Sequence, residues 1–349
     1  MEKDYFHRVT ALTPTRFWVN NPTREEVDMA IAAGAVGCTN NPAYCGKMVD
    51  REEERELVLR QLDQAISETD DDGEAESLLQ LRLIKNTQER FLEVYKRTAG
   101  EHGYVSIQGD PIREHDPDVI VSEGRRNRQL GPNMCIKIPT TRAGLQAMEV
   151  LLTENTPLNA TECFAVKQAI DICELYDRVT SKTGKYPKLY LSHIAGIYDE
   201  CLAEYVEREG VDISADVLWQ AGLAVSRKVY RIMQERGYKA TFVAGGARGL
   251  HHFTEMVGGD VCVTINWRGT ADELIETNPP VVYRLFNPVP EKVINELMEK
   301  LPDFARGYAD DGLSVDEYEE FAPVEHFRGG FVRNWNKILG IAAERRAAR

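Results

Sequence analysis

Eight short apolar runs, each followed by a segment of helical length, organise this chain. The runs are Arg16–Asn20, Ala35–Thr39, Tyr104–Gln108, Met134–Ile138, Leu158–Cys163, Lys188–His193, Ala240–Ala244 and Asp260–Ile265. Helical patterning fills the gaps at Glu25–Gly34, Arg51–Thr98, Asp118–Leu130, Thr141–Thr153, from 164 to about Lys182, Tyr198–Gly237 and from Leu250. The long second and sixth segments break at the Asp70–Gly73 turn and near Gly210. Short strands alternating with helices imply parallel strands joined by crossovers, and a count of eight is that of a (β/α)8 TIM barrel. An open doubly wound sheet would carry about five to seven strands and a glycine-rich first turn. Here that turn is Asn20-Asn21-Pro22-Thr23, without glycine. The predicted architecture is an α/β TIM barrel over residues 1–278. A C-terminal helical extension, 279–349, packs on it, with helices at Glu291–Leu301, Val315–Phe321 and Val332–Ala347.

Charge and cysteine usage narrow the partners. Lys and Arg number 42 against 56 Asp and Glu, a net charge of −14. Such a chain is a poor ligand for nucleic acid or an anionic membrane surface, although one pocket can still be locally basic. No apolar run reaches the length of about 20 residues that spans a bilayer, and the N-terminal residues lack an apolar signal core. The seven cysteines are scattered, with no CxxC pair and no zinc spacing. They read as reduced thiols of a cytoplasmic protein. The expected partner is a small molecule, with association into a homo-oligomer left open.

In a barrel, functional side chains gather at the carboxyl ends of the strands. Here those ends supply Asn20, Asn40, Gln108, Asp110, Lys137, Asn159, Thr161, Ser192, His193 and Arg248. Neutral hydrogen-bonding groups thus surround one lysine. Lys137 sits in Cys-Ile-Lys-Ile-Pro, on a strand buried on both faces. A lysine there is costly unless paired or neutral. Desolvation lowers its pKa, and a neutral amine attacks carbonyls to form Schiff bases. The strand alone also allows a lysine that snorkels to solvent at the strand end.

Several segments, in order along 16–275, resemble the transaldolase family of class I aldolases. Thr39-Asn40-Asn41-Pro42 is similar to the family's TTNP turn, and Ile136–Thr141 with Ala143-Gly144-Leu145 to its lysine strand. Pro157–Thr161 with Phe164 and Gln168-Ala169 resembles its NxTxxFSxxQA segment. Leu191–Gly196 and Val243–Arg248 resemble the family's SPFVGR and AASFR strand ends. The resemblance implies a barrel in which Lys137 forms a Schiff base with a ketose-type donor. The iminium then acts as electron sink for cleavage or transfer of a three-carbon ketol unit. No cofactor and no metal is implied, since the iminium is the electrophile. Gln108 and Thr161 match groups that hold the catalytic water. Asn40, Asn159 and Ser192 match groups that touch a sugar-like substrate.

Departures from that pattern matter as much. The family's first strand ends in an aspartate that takes a hydroxyl proton; Asn20 stands there, and an amide is no general base. Asp110 or Glu162 can replace it. If Thr161 points inward, alternation turns Glu162 outward, which favours Asp110 unless the strand end is distorted. The family's phosphate arginine is Ile197 here and the AASFR serine is Gly246, while Arg248 remains. Arg142 and His193 are extra polar groups near the expected pocket mouth, suited to an anion placed differently; Arg142 also reads as a solvated first-turn residue. Three functions follow as expectations: a Schiff-base aldolase or transaldolase; another Schiff-base reaction, retro-aldol or dehydration, on a non-phosphorylated or differently charged metabolite; and a non-catalytic sugar-binding relative.

Overall fold

The computed structural model describes residues 4–348. Eight parallel strands close into a barrel in sequence order: β1 Arg16–Asn20, β2 Gly37–Thr39, β3 Tyr104–Gln108, β4 Met134–Pro139, β5 Leu158–Cys163, β6 Leu189–His193, β7 Thr241–Ala244 and β8 Val261–Ile265. Each of the eight runs becomes a strand, and β1 pairs with β8 to close the ring. The runs are apolar because crossover helices cover their outer faces while side chains fill the interior.

Alternation along each strand builds the interior in layers. Trp18, Tyr104, Cys135, Tyr190, Val243 and Cys262 form a separate cluster inside the ring. There Tyr190 packs edge-on against Trp18 at 4.8 Å between centroids and against Tyr104 at 5.7 Å. Two residues further along the same strands come Asn20, Ser106, Lys137, Ser192, Gly245 and Thr264. The aromatic layer is thus the floor of a polar layer. Gly37 makes that floor possible, because a Cβ there would stand 2.2 Å from the Trp18 ring. Gly37→Ala is expected to lower stability by at least the roughly 1–3 kcal/mol typical of overpacking, read as a fall in the urea midpoint; an unchanged midpoint would refute the tight floor.

Several sequence expectations shift. The helix expected from Leu250 is one turn, His251–Thr254, and Val315–Phe321 contains only a 3-10 turn, Val315–Glu317. The last helix begins ten residues earlier than expected and spans Ala322–Ala347, passing through Gly329-Gly330. Short helices at Tyr5–Leu12, Tyr44–Met48 and Pro302–Tyr308 carried no clear periodic signal. The C-terminal helix buries Phe331, Trp335, Ile338 and Ala342 and packs against Tyr44–Met48, Glu52–Glu68, Asp72–Arg97, Ala195–Glu209 and β5. It therefore lies over the carboxyl end of the barrel. No helix among the described residues is long and apolar enough to cross a membrane.

Candidate active site

Lys137 is 5 % exposed, at the centre of β4. Its ladder neighbours are Gln108 on β3 and Asn159 on β5. Lys137 lines a cavity of about 160 Å³ at the carboxyl end of the barrel, together with Asn20, Thr39, Ser192 and Thr264. Burial pushes the ammonium's pKa down from 10.5 to about 8, opposed by the carboxylates of Glu162 and Glu114. Desolvation outweighs the attraction, so a substantial fraction of neutral amine exists near physiological pH.

Glu162 reaches this site because β5 is irregular. The register shifts between Ala160 and Cys163, and Glu162 has φ +54°. A bulge of this kind re-aims a side chain that regular alternation would turn away. Glu162 is fully buried, and its Oε1 accepts a 2.8 Å hydrogen bond from Gln108 Nε2. The same amide donates to Glu114 Oε2 at 3.3 Å. Burial raises the pKa of both carboxyls; for Glu114 the adjacent Glu162 adds to the rise. Arg328, from the C-terminal helix, opposes it with its charge and pairs with Glu114 at 2.6 Å; its other contact is Glu319 at 3.1 Å. Thr161 Oγ1, Gln108 Oε1 and Glu162 Oε2 are buried without a hydrogen-bond partner among the described residues. Such orphan polar atoms are expensive in a finished core. Gln108 is the ladder neighbour of Lys137 and holds Glu162, and Thr161 is the ladder neighbour of Pro139 two residues on, so these orphan atoms flank the lysine strand, although none of the three residues lines the cavity itself.

Other expected residues fall in different places. Ser192 lines the cavity and donates to Asn159 Oδ1 at 2.7 Å, while Asn159 reaches Ser106 Oγ at 3.5 Å. Asn20 also lines the cavity, donating to Asn266 Oδ1 at 2.9 Å and accepting from Thr39. Arg248 lines it too, paired with Glu200 at 2.6 Å. Its loop is tied down by His252, whose Nδ1 meets the Arg248 backbone N–H and whose Nε2 meets half-buried Asp199 at 3.0 Å.

Four expectations are corrected. Asp110 lines a small second cleft that Lys137 also lines, but the carboxylates that bear on the lysine charge are Glu162 and Glu114; Asp110 Oδ1 accepts from the Ile112 backbone N–H, and its own N–H is held by Glu123. His193 points out of the barrel, the consequence of following the inward Ser192. There it bonds Ser226 at 2.7 Å, and burial lowers its pKa to about 4. Arg142 pairs with Asp316 on the exterior and does not line the cavity. Asn40 bonds the Ser106 carbonyl between strands, whereas Asn41, directly before Pro42, lines the cavity. The TTNP turn already placed its asparagine next to the proline, so that signal was in the sequence.

Sequence reasoning also missed Thr264 and Asn266 at the end of the eighth run, and the whole contribution of the C-terminal helix. Phe327, Phe331, Arg333 and Asn334 of that helix wall the cavity.

The family model described as Transaldolase/Fructose-6-phosphate aldolase matches residues 17–305. The transaldolase of Saccharopolyspora erythraea is 25% identical over 244 residues, covering 66% of this chain and 65% of that protein. The transaldolase of Mycobacterium leprae is 27% identical over 280 residues, 70% of each chain. That of Acidothermus cellulolyticus is 28% identical over 250 residues, 66% of this chain and 65% of that protein. The chain thus spans about two thirds of the length of these relatives. The family match runs from β1 through β8, across the lysine strand and the irregular β5, and on this ground the chain belongs to the transaldolase/fructose-6-phosphate aldolase family.

Proposed function

We propose that the protein is a transaldolase-like class I aldolase in which Lys137 forms a Schiff base with a ketose-type donor. The observation that carries this reading is the buried amine of Lys137, a residue that lines the cavity, with a pKa lowered to about 8. The neutral amine adds to the donor ketone, and loss of water gives an iminium. Removal of the proton from the hydroxyl on the far carbon of the bond to be broken, the carbon β to the iminium carbon, turns that carbon into the departing aldehyde and sends the bond pair to the iminium, leaving an enamine on Lys137. Addition of an acceptor aldehyde, or protonation, regenerates an iminium, and water releases the product.

Glu162 supports the acid–base work. Asn20 occupies the end of β1 and cannot accept the hydroxyl proton. Glu162 is beside the lysine, its pKa is raised towards the range useful to a general base, and Oε2 has no partner among the described residues. Gln108 and Thr161, each with an orphan oxygen, are suited to hold the water used in iminium formation and hydrolysis. Asn41, Ser192 and Asn159 supply hydroxyl-binding groups.

The amide of Asn20 favours keeping a second reading: a Schiff-base reaction, such as dehydration, in which no carbon–carbon bond breaks. Product analysis separates them, since release or transfer of an aldehyde occurs only in the first.

Borohydride trapping with ketose donors tests the common step. The rate of adduct formation at Lys137 is expected to rise with pH, because only the deprotonated amine attacks, with a half-point near pH 8. A half-point at the ordinary value of a solvated lysine, or no adduct with any ketose, would defeat the reading.

A further inference from the structure

The mouth of the Lys137 cavity carries more positive charge than it neutralises. Lys47, from the helix Tyr44–Met48, and Arg333, from the C-terminal helix, both line it, as does Arg248. Glu200 is the sole carboxylate among the lining residues, and it is committed to Arg248 at 2.6 Å with His326 at 3.9 Å on its other oxygen. Neither Lys47 nor Arg333 has a side-chain ion-pair partner among the described residues. In a chain with net charge −14, where most cations on the surface find a carboxylate, two that do not and that share one cavity are a surplus. Burial lowers the Lys47 pKa, and the nearby charges of Arg248 and Arg51 lower it further. An anion would relieve this repulsion.

The geometry points to Lys47 and Arg333 as an anion subsite that holds the negatively charged terminal group of the substrate whose carbonyl reaches Lys137. This deepens, and rests on, the Schiff-base reading. The guanidinium of Arg333 lies against the backbone of Gly329 and Gly330, where a Cβ would be 3.4 Å and 3.8 Å from its nitrogens. Gly330 and Arg333 both line the cavity, and a planar guanidinium there can make paired hydrogen bonds with an oxyanion. Lys47 contributes a point charge. On the wall where the resemblance expected a phosphate arginine, Ile197 lines the cavity and Gly246 offers no hydroxyl. The charge has moved to a wall built partly from the C-terminal helix, which lies beyond the segment 17–305 matched by the family model.

Fructose and fructose 6-phosphate serve as matched neutral and anionic probes, read by borohydride trapping on the full chain. Lys47→Gln and Arg333→Gln are each expected to lower the preference for the phosphorylated probe by roughly 10- to 100-fold, the range of a hydrogen bond to a charged group. Lys47→Arg, which keeps the charge, should retain most of the preference, and Arg333→Lys, which keeps the charge but loses the paired geometry, should fall between the parent and Arg333→Gln; such retention excludes misfolding as the cause of the loss in the Gln variants. Calorimetry with inorganic phosphate reads the subsite without chemistry: its affinity should fall at least tenfold in either Gln variant. The subsite is overturned if the preference changes less than twofold in both Gln variants, or if the unmodified protein neither prefers the anionic probe nor binds phosphate. Trapping of neither sugar, with phosphate binding that depends on Lys47 and Arg333, would sink the Schiff-base reading and leave the anion subsite standing.

Discussion

Lys137→Met is expected to abolish borohydride-trappable adducts and to cut turnover by roughly 10⁴-fold or more. Removing the nucleophile of a covalent mechanism leaves only binding and residual polarisation. Methionine keeps most of the volume, so the loss is chemical. The same substitution should raise stability at neutral pH. The sign follows from linkage. The folded pKa, about 8, lies below the ordinary 10.5, so between these values the unfolded chain binds more protons than the folded one. Stability of the unmodified protein therefore rises with pH across that window, and below it the full desolvation penalty is present. Removing the ammonium recovers at most on the order of 3 kcal/mol, at about 1.4 kcal/mol per unit. That is an upper bound, because Glu162 and Glu114 lose a counter-charge. The variant should melt higher than its parent at pH 7, and the gap should shrink towards pH 10. A variant that kept turnover, or that melted lower at pH 7 than at pH 10 relative to its parent, would contradict a buried, desolvated, catalytic amine.

The barrel was legible because a parallel strand buried on both faces must be an apolar run, and eight such runs recur with helical spacers. Strand boundaries agreed to within a residue or two, and Thr141, the expected first residue of its helix, is the N-cap, its hydroxyl accepting from the Gly144 N–H. The site was legible wherever alternation was obeyed. Lys137, Ser192 and Asn20 lie on the inward phase, and strict use of the same rule would have turned His193 outward. What escaped were the long-range and irregular features. Glu162 enters the site through a left-handed residue in a strand, and nothing in Ala-Thr-Glu-Cys announces that bulge. Asp316, the partner that removes Arg142 from the pocket, lies 174 residues away. The last helix was expected from Val332, yet it begins at Ala322 and runs through Gly329-Gly330. Glycine in a helix costs roughly 0.5–1 kcal/mol per residue, which the burial of Phe331 and Trp335 outweighs at about 1.5–3 kcal/mol for a large apolar side chain. With that helix start misplaced, Arg328 could not be assigned to the site, and Arg333, inside the expected helix, was missed because nothing local places that helix over the barrel.

Glu162→Gln should separate the two halves of the mechanism. The substitution is isosteric, and a glutamine Oε1 still accepts from Gln108 Nε2, so the local framework is preserved. What disappears is the ability to take a proton. Turnover is expected to fall roughly 10²- to 10⁴-fold, the range for loss of a positioned general base. Adducts at Lys137 should still form, because addition to the ketone needs the amine and water-handling groups alone. A second consequence has a definite sign. Glu162 is the leading electrostatic influence raising the Lys137 pKa against desolvation. Without its charge the lysine titrates lower, so the half-point for trapping should move below about 8. A merely structural role would not do this, since loosening the site would admit water and move the half-point upward. Glu162→Asp, which retains the acid but shortens its reach, should recover part of the turnover. If Glu162→Gln loses adducts in parallel with turnover, Glu162 only positions the amine. If turnover stays within a few-fold, the hydroxyl proton leaves by another group. Glu114, held by Arg328 on the far side of Gln108, is then the carboxylate to substitute next.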